Sequence, residues 1–182
     1  MRRRRRLDGP VTTVSPVSRL AGRTAIVTGA GQGVGEGIAR SLAGNGARVV
    51  IAARRFETGE PVAQAIRTLG GEAVCIVTDV TDRDSMEHCV VKTVDQFGGL
   101  EIMVHNAFRG GRPHRLEDLD DELWNQNSRT AVWGSYYSAV LAFPYLRAAG
   151  NRGRLIFITS PAGVEGSVNL PAYGPVKAAQ RA

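Results

Sequence analysis

Short, nearly continuous apolar runs alternate with longer segments of helical period along this chain. Thr24–Thr28 (TAIVT) is apolar and β-branched, and Arg48–Ala52 (RVVIA), Ala73–Val77, Glu101–Val104 and Arg154–Thr159 (RLIFIT) repeat the type. Such runs, without polar alternation, predict strands buried on both faces. Between them, Gly33–Gly44 places Ile38, Ala39 and Leu42 on one helical face, and Glu57–Leu69 predicts a helix stopped by Gly70-Gly71. Asp82–Phe97 reads as a helix with Asp82 as its cap and Gly98-Gly99 as its stop. Asp118 to about Ala149 reads as mostly helix, kinked near Pro144, and a last helix begins near Tyr173. Strands alternating with helices predict an α/β fold, a doubly wound, Rossmann-like parallel sheet in a single domain.

The turn after the first strand reads Thr28-Gly-Ala-Gly-Gln-Gly-Val-Gly35. Glycines let the backbone turn sharply and approach a pyrophosphate, and the helix that follows offers free N–H groups and a positive dipole end. The position between first strand and first helix is what a dinucleotide cradle requires. The end of the second strand selects the dinucleotide, through an acid for a ribose hydroxyl or an arginine for a 2′-phosphate. Here Arg54 and Arg55 stand there, with no acid before Glu57, which favours NADP(H) over NAD(H). Gln32 is neutral and does not bear on that choice.

Charge alters the picture at one end only. The net charge is +6, but Arg2 to Arg6 supply five of it, leaving +1 for the rest (6 − 5 = 1). Residues 1–19 join that run to Pro10, Pro16 and several Ser/Thr without an apolar block, which excludes a secretory signal and predicts a disordered extension before a domain at 20–182. Attraction to nucleic acid is a lesser reading of the tail. Cys75 and Cys89 have no metal-ligand spacing, nor do the histidines, so no metal site is expected. Residues 130–146 are uncharged but contain Ser, three Tyr, Gly134 and Pro144, which suits a buried helix better than a membrane span. The chain is expected to be cytoplasmic.

Tyr173 and Lys177 stand four residues apart, on one face of a helix, thirteen residues after Ser160. A tyrosine phenol ionises near 10. A lysine charge about 4–5 Å away, at an effective dielectric near 20, contributes about 4 kcal/mol and draws it toward neutrality. The spacing suits a phenol that exchanges protons with a substrate oxygen.

Taken in order, Thr28-Gly-x-x-x-Gly-x-Gly35, Asp79-Val80, Asn106-Ala107, Ser160 and Tyr173-x-x-x-Lys177 resemble the short-chain dehydrogenase/reductase family from about Leu20 to the last residue. The resemblance implies that Gly29, Gln32, Gly33, Val34 and Gly35 cradle the cofactor and that Arg54 and Arg55 read its ribose. It implies that Asp79 and Val80 hold the adenine, and that Asn106 and Ala107 support the sheet beside the cofactor. Ser160 would hold the substrate oxygen, Tyr173 donate or accept the proton, and Lys177 bind the nicotinamide ribose and tune the phenol. The implied reaction is hydride transfer between the nicotinamide and a small-molecule carbonyl or secondary alcohol.

The chain departs from the family pattern in three places. His105 and Phe108 replace the first Asn and the Gly of an Asn-Asn-Ala-Gly segment, and His105 is expected as a wall residue. Ala131 stands where the family carries a catalytic asparagine, with Asn127 one turn earlier. Pro175 lies between Tyr173 and Lys177, so Tyr173 must open its helix. Family members continue with two further strands and a substrate loop, so this chain is expected to be incomplete at its C-terminus. The uncharged stretch with Trp133, Tyr136, Tyr137, Leu141 and Phe143 exceeds one buried stripe. The family pairs this helix and the catalytic one between subunits, implying a homodimer or homotetramer. A non-catalytic NADP-binding or assembly protein stays open as the alternative, with an enoyl reductase as a nearer rival.

Overall fold

The computed structural model describes residues 18–109 and 113–182. The arginine run of the expected tail lies outside the described residues. The apolar runs form β1 (Thr24–Thr28), β2 (Arg48–Ala53), β3 (Glu72–Val77), β4 (Ile102–His105) and β5 (Arg154–Phe157). They make one parallel sheet in the order β3-β2-β1-β4-β5. Winding proceeds outward from β1 through β2 to β3, then returns to β4 on the other side. That reversal opens a crevice at the carboxyl ends of β1 and β4.

Helices α1 (Gly33–Gly44), α2 (Phe56–Thr68), α3 (Arg83–Phe97), α4 (Asp121–Ser128) and α5 (Gly134–Ala148) cover the sheet, and α6 (Ala162–Glu165) and α7 (Tyr173–Arg181) close the described chain. Alternate residues of each strand point to opposite faces. Ala25, Val27, Val49 and Ile51 therefore pack with Ala39, Val62 and Ile66 of α1 and α2. Ile26, Val50 and Met103 pack on the other face with Met86 and Val90 of α3 and Ala142 and Leu146 of α5. Burial on both faces explains why β1 and β2 lack polar alternation; each large apolar side chain so buried contributes about 1.5–3 kcal/mol.

The expected caps form: Asp82 accepts from the backbone N–H of Asp84 at 3.0 Å, and Gly98 ends α3 in the left-handed conformation at φ 80°. The long helix differs from expectation. It is broken not at Pro144 but by a π-helical stretch, Arg129–Trp133, between α4 and α5. In this wider turn the Gly134 N–H reaches the carbonyls of Arg129 and Ala131, and Ser135 Oγ at 2.6 Å and Gln180 Nε2 at 3.3 Å also donate to the Ala131 carbonyl. Pro144 is exposed and sits inside α5 without ending it. The carbonyl that loses its partner belongs to Val140, itself 39% exposed, where water can replace the missing N–H.

Candidate active site

A cleft of about 580 Å³ lies at the carboxyl ends of β1 to β4. Gly29, Gln32, Gly33, Val34, Gly35, Arg54, Arg55, Asp79, Val80, Asn106 and Ala107, the expected cofactor residues outside the catalytic helix, all line it. Two glycines are fixed by close approach. A Cβ on Gly29, whose φ is +66°, would lie 2.8 Å from Ala107 Cα. A Cβ on Gly35 would lie 2.5 Å from Asn106 Nδ2 and would collide with the Gly29 carbonyl oxygen.

Thr28 ties the two central strands together at this point. Its hydroxyl accepts from the backbone N–H groups of Asn106 (3.0 Å) and Ala107 (3.1 Å), while Asn106 Nδ2 donates to the Thr28 carbonyl at 3.0 Å. Asn106 thus braces the turn between β1 and α1. Asp79 combines two tasks: it lines the cleft, and its Oδ1 accepts from Thr81 N (2.9 Å) and Thr81 Oγ1 (2.8 Å). Val80, only 4% exposed, packs chiefly into the core with Met86 and Leu100. Arg54 and Arg55 are exposed at the rim, and neither joins an ion pair among the described residues. Sequence reasoning passed over Thr58, Arg109, Asn125, Arg129 and Thr130, which complete the walls. They come from α2, the loop after β4, α4 and the π-helical stretch, whose rotation a pattern of apolar residues does not reveal.

Ser160, Tyr173 and Lys177 do not line this cleft. Ser160 follows β5 and its Oγ accepts from Ala162 N at 3.2 Å, so it also starts α6. Tyr173 is the first residue of α7, which leaves Pro175 in the first turn where its missing N–H costs nothing. One turn on, the buried Lys177 Nζ donates to the Ile158 carbonyl at 2.8 Å and lies 5.8 Å from the Tyr173 ring centroid. Burial pushes the Lys177 ammonium down to about 8. Gly163 permits this arrangement, because a Cβ there would lie 2.6 Å from Ala178 N and from the Lys177 carbonyl carbon. The α6 turn therefore rests directly on α7. No hydrogen bond joins Ser160 to Tyr173 among the described residues.

The departures from the family pattern take definite places. His105, expected as a wall, is fully buried instead. Its Nδ1 lies 3.1 Å from Ser138 Oγ and 3.4 Å from Thr28 Oγ1. Burial first, then the Lys177 charge, lower it to about 4 against a partial offset from the Thr130 backbone, so it is neutral at physiological pH. Gly134 makes room for it: a Cβ there would lie 2.7 Å from His105 Cε1. Asn127 is 1% exposed and its Nδ2 donates to the Leu123 carbonyl of its own helix at 2.8 Å. Phe108 stands at the end of the cleft with its ring against Tyr173, centroids 5.0 Å apart and planes at 63°.

Comparison with known proteins agrees with this fold. The short chain dehydrogenase family model matches residues 23–182. L-Rhamnose 1-dehydrogenase (NAD(P)(+)) of Azotobacter vinelandii is 34% identical over 164 residues, covering 87% of this chain and 63% of that enzyme. Cis-4-hydroxycyclohexanecarboxylate dehydrogenase of Sinomonas cyclohexanicum is 35% identical over 158 residues, with coverage of 87% and 63%. The chain thus spans somewhat under two thirds of the length of these relatives. Among solved structures, a 7α-hydroxysteroid dehydrogenase complexed with NADH and 7-oxo glycochenodeoxycholic acid superposes with a TM-score of 0.84 at 30% identity, over 91% of this chain and 64% of that one. A metagenomic short-chain oxidoreductase in complex with NADP gives 0.83 at 31% identity, over 90% and 73%. On the match of 23–182 and the shared architecture, the chain belongs to the short chain dehydrogenase family.

Proposed function

We propose that this protein is an NADP(H)-dependent oxidoreductase interconverting a carbonyl compound and a secondary alcohol, with Tyr173 as the acid–base group. The observation that carries the reading is the buried ammonium of Lys177. It is pinned to the Ile158 carbonyl beside the Tyr173 ring, at the sheet end where the glycine turn opens. A merely solvated helix face would not hold its lysine buried beside the phenol ring.

The cradle fits a dinucleotide: Gly29 and Gly35 let the turn close tightly against Ala107 and Asn106, Gly33 borders open space at φ +60°, and α1 offers its N-terminal N–H groups there. Gln32, Gly33 and Val34 line the turn, Arg54 and Arg55 would take a 2′-phosphate, and Asp79 with Val80 the adenine side. Asn106 and Ala107 hold the turn in shape. When bound, the nicotinamide supplies the hydride. Ser160 would orient the substrate oxygen by hydrogen bond, and Tyr173 would deliver or remove its proton. Lys177 would hold the ribose end beside the phenol. The work is placed in the cytoplasm.

The exposed aromatic stripe supports a homodimer or homotetramer as the assembled state. Trp133 and Tyr136 are each 51% exposed and Phe143 58%, all on the π-helical stretch and α5.

Reduction of a panel of aldehydes and ketones with NADPH, followed by loss of NADPH absorbance, tests the reading. Tyr173→Phe should lower turnover by about 10²–10⁴-fold while nucleotide binding persists. Full activity in that variant would end the proposal. Ala131 and the inward turn of Asn127 favour a second reading, a non-catalytic NADP-binding protein. Tight NADPH binding with no turnover across the panel would select it.

A further inference from the structure

Phe108 occupies a position where a glycine would leave an opening. The residue lines the nucleotide cleft, and its ring also touches Tyr173 and Lys177, neither of which lines that cleft. The Lys177 Nζ sits 4.9 Å from the Phe108 ring centroid, nearer than the 5.8 Å to the ring of Tyr173. An ammonium carries three donors, and the Ile158 carbonyl takes one at 2.8 Å. Among the described residues the rings of Phe108 and Tyr173 are further electron-rich partners, and a desolvated cation is attracted to such a face. The same ring meets Tyr173 edge to face, so one side chain from the loop after β4 touches both members of the α7 pair.

From this we infer that Phe108 is a positioning residue: its ring is the shared wall that holds the Tyr173 phenol and the Lys177 ammonium together and covers the ammonium on that side. The inference builds on the proposed reading of Tyr173 and Lys177 as the reacting pair. Its physical content, a shielded lysine, can be measured without nucleotide or turnover. Packing alone does not explain the arrangement, since a residue needed only to fill the loop would have no cause to lie over a cation that is 4% exposed.

The chain offers an internal control, because Lys92 and Lys177 are its only lysines. Lys92 is exposed on α3. The full chain is treated with an amine-acetylating ester, and the rates at Lys177 and Lys92 are read separately by peptide mass spectrometry. In the unaltered protein Lys177 reacts much more slowly than Lys92. Phe108→Ala should raise the Lys177/Lys92 ratio about tenfold, the equivalent of losing most of a desolvated cation–ring contact and its cover. Phe108→Tyr, which keeps the ring, should restore the original ratio, and Phe108→Leu should fall between. An unchanged ratio in Phe108→Ala, with its melting transition retained, overturns the inference and assigns the cover to the α6 turn. Should the alanine variant lose its cooperative melt, the leucine and tyrosine variants decide. A raised ratio in Leu but not Tyr supports the ring, and equal ratios in both overturn it. Labelling that follows these expectations in an inactive protein would leave the inference standing while the proposed reaction falls.

Discussion

The centre of the sheet and its β5 edge are built differently. On one side, β1, β2 and β4 are buried along nearly their whole length, and the glycine turn is locked by backbone contacts with Ala107 and Asn106. On the other, β5 exposes Leu155 (38%) and Ile156 (41%), and Ser160, Tyr173 and Lys177 hang on the short α6 and α7 beyond it. The cradle is over-determined by sterics, whereas the proposed catalytic group depends on a few contacts: Lys177 to Ile158, Gly163 to α7, Phe108 to Tyr173. A nucleotide cleft is thus fixed by the core that folds the protein, while the proton-handling pair is held by single side chains.

Breaking the cradle should have the largest effect. Gly35→Ala pushes a Cβ into the Gly29 carbonyl and Asn106, and about 2–4 kcal/mol of destabilisation with complete loss of NADPH binding is expected. Thermal melting and fluorescence titration check it. Next comes the contrast between strands. Val50→Thr buries an unpaired hydroxyl in β2 and should cost about 1–3 kcal/mol, while Ile156→Thr on β5 should stay within about 0.5 kcal/mol. Equal costs in denaturant titrations would abolish the distinction between centre and edge. Replacing Arg54 and Arg55 together with Ala should weaken NADPH about tenfold and leave NADH nearly unaffected, since both arginines are solvated and screened. Equal losses for the two dinucleotides would remove the preference.

A separate test is a pH slope. His105 is lowered to about 4 in the fold and titrates near 6.5 when unfolded, so between these values the unfolded chain binds more protons. Stability should therefore be full above about pH 6.5 and fall as pH drops toward 4, and His105→Asn should flatten that segment. Lys177 has the same sign at the alkaline end. With a folded value of about 8 against 10.5, stability should rise as pH climbs through that window. Chemical denaturation at a series of pH values reads both.

The sheet was legible because a strand buried on both faces has an unmistakable composition, and the glycine turn because only glycine fits against Ala107 and the Gly29 carbonyl. The break in the long helix was not. Proline suggested Pro144, but its residue lies on an open face, and the real disturbance is the π-helical stretch, stabilised by Ser135 and by Gln180 from a distant helix. Such tertiary partners leave no local trace. His105 misled in the same way: its position after a strand implied a wall, whereas the space left by Gly134 draws it into the core. Phe108 reads in sequence as an ordinary departure from a glycine, and only the fold brings its ring over Lys177.

The π-helical stretch Arg129–Trp133 also sets a phase. One additional residue in a helix advances everything after it by about 100° around the axis. In the observed phase Ser135 and Ser138 face inward to Ala131, Gln180 and His105, while Trp133, Tyr136 and Phe143 face outward. Deleting a single residue from the stretch would turn α5 like a dial, carrying aromatic rings toward the space reserved for His105 and bringing the serines to the surface. The register of the whole outer face is thus held by a count of residues and not by any one of them.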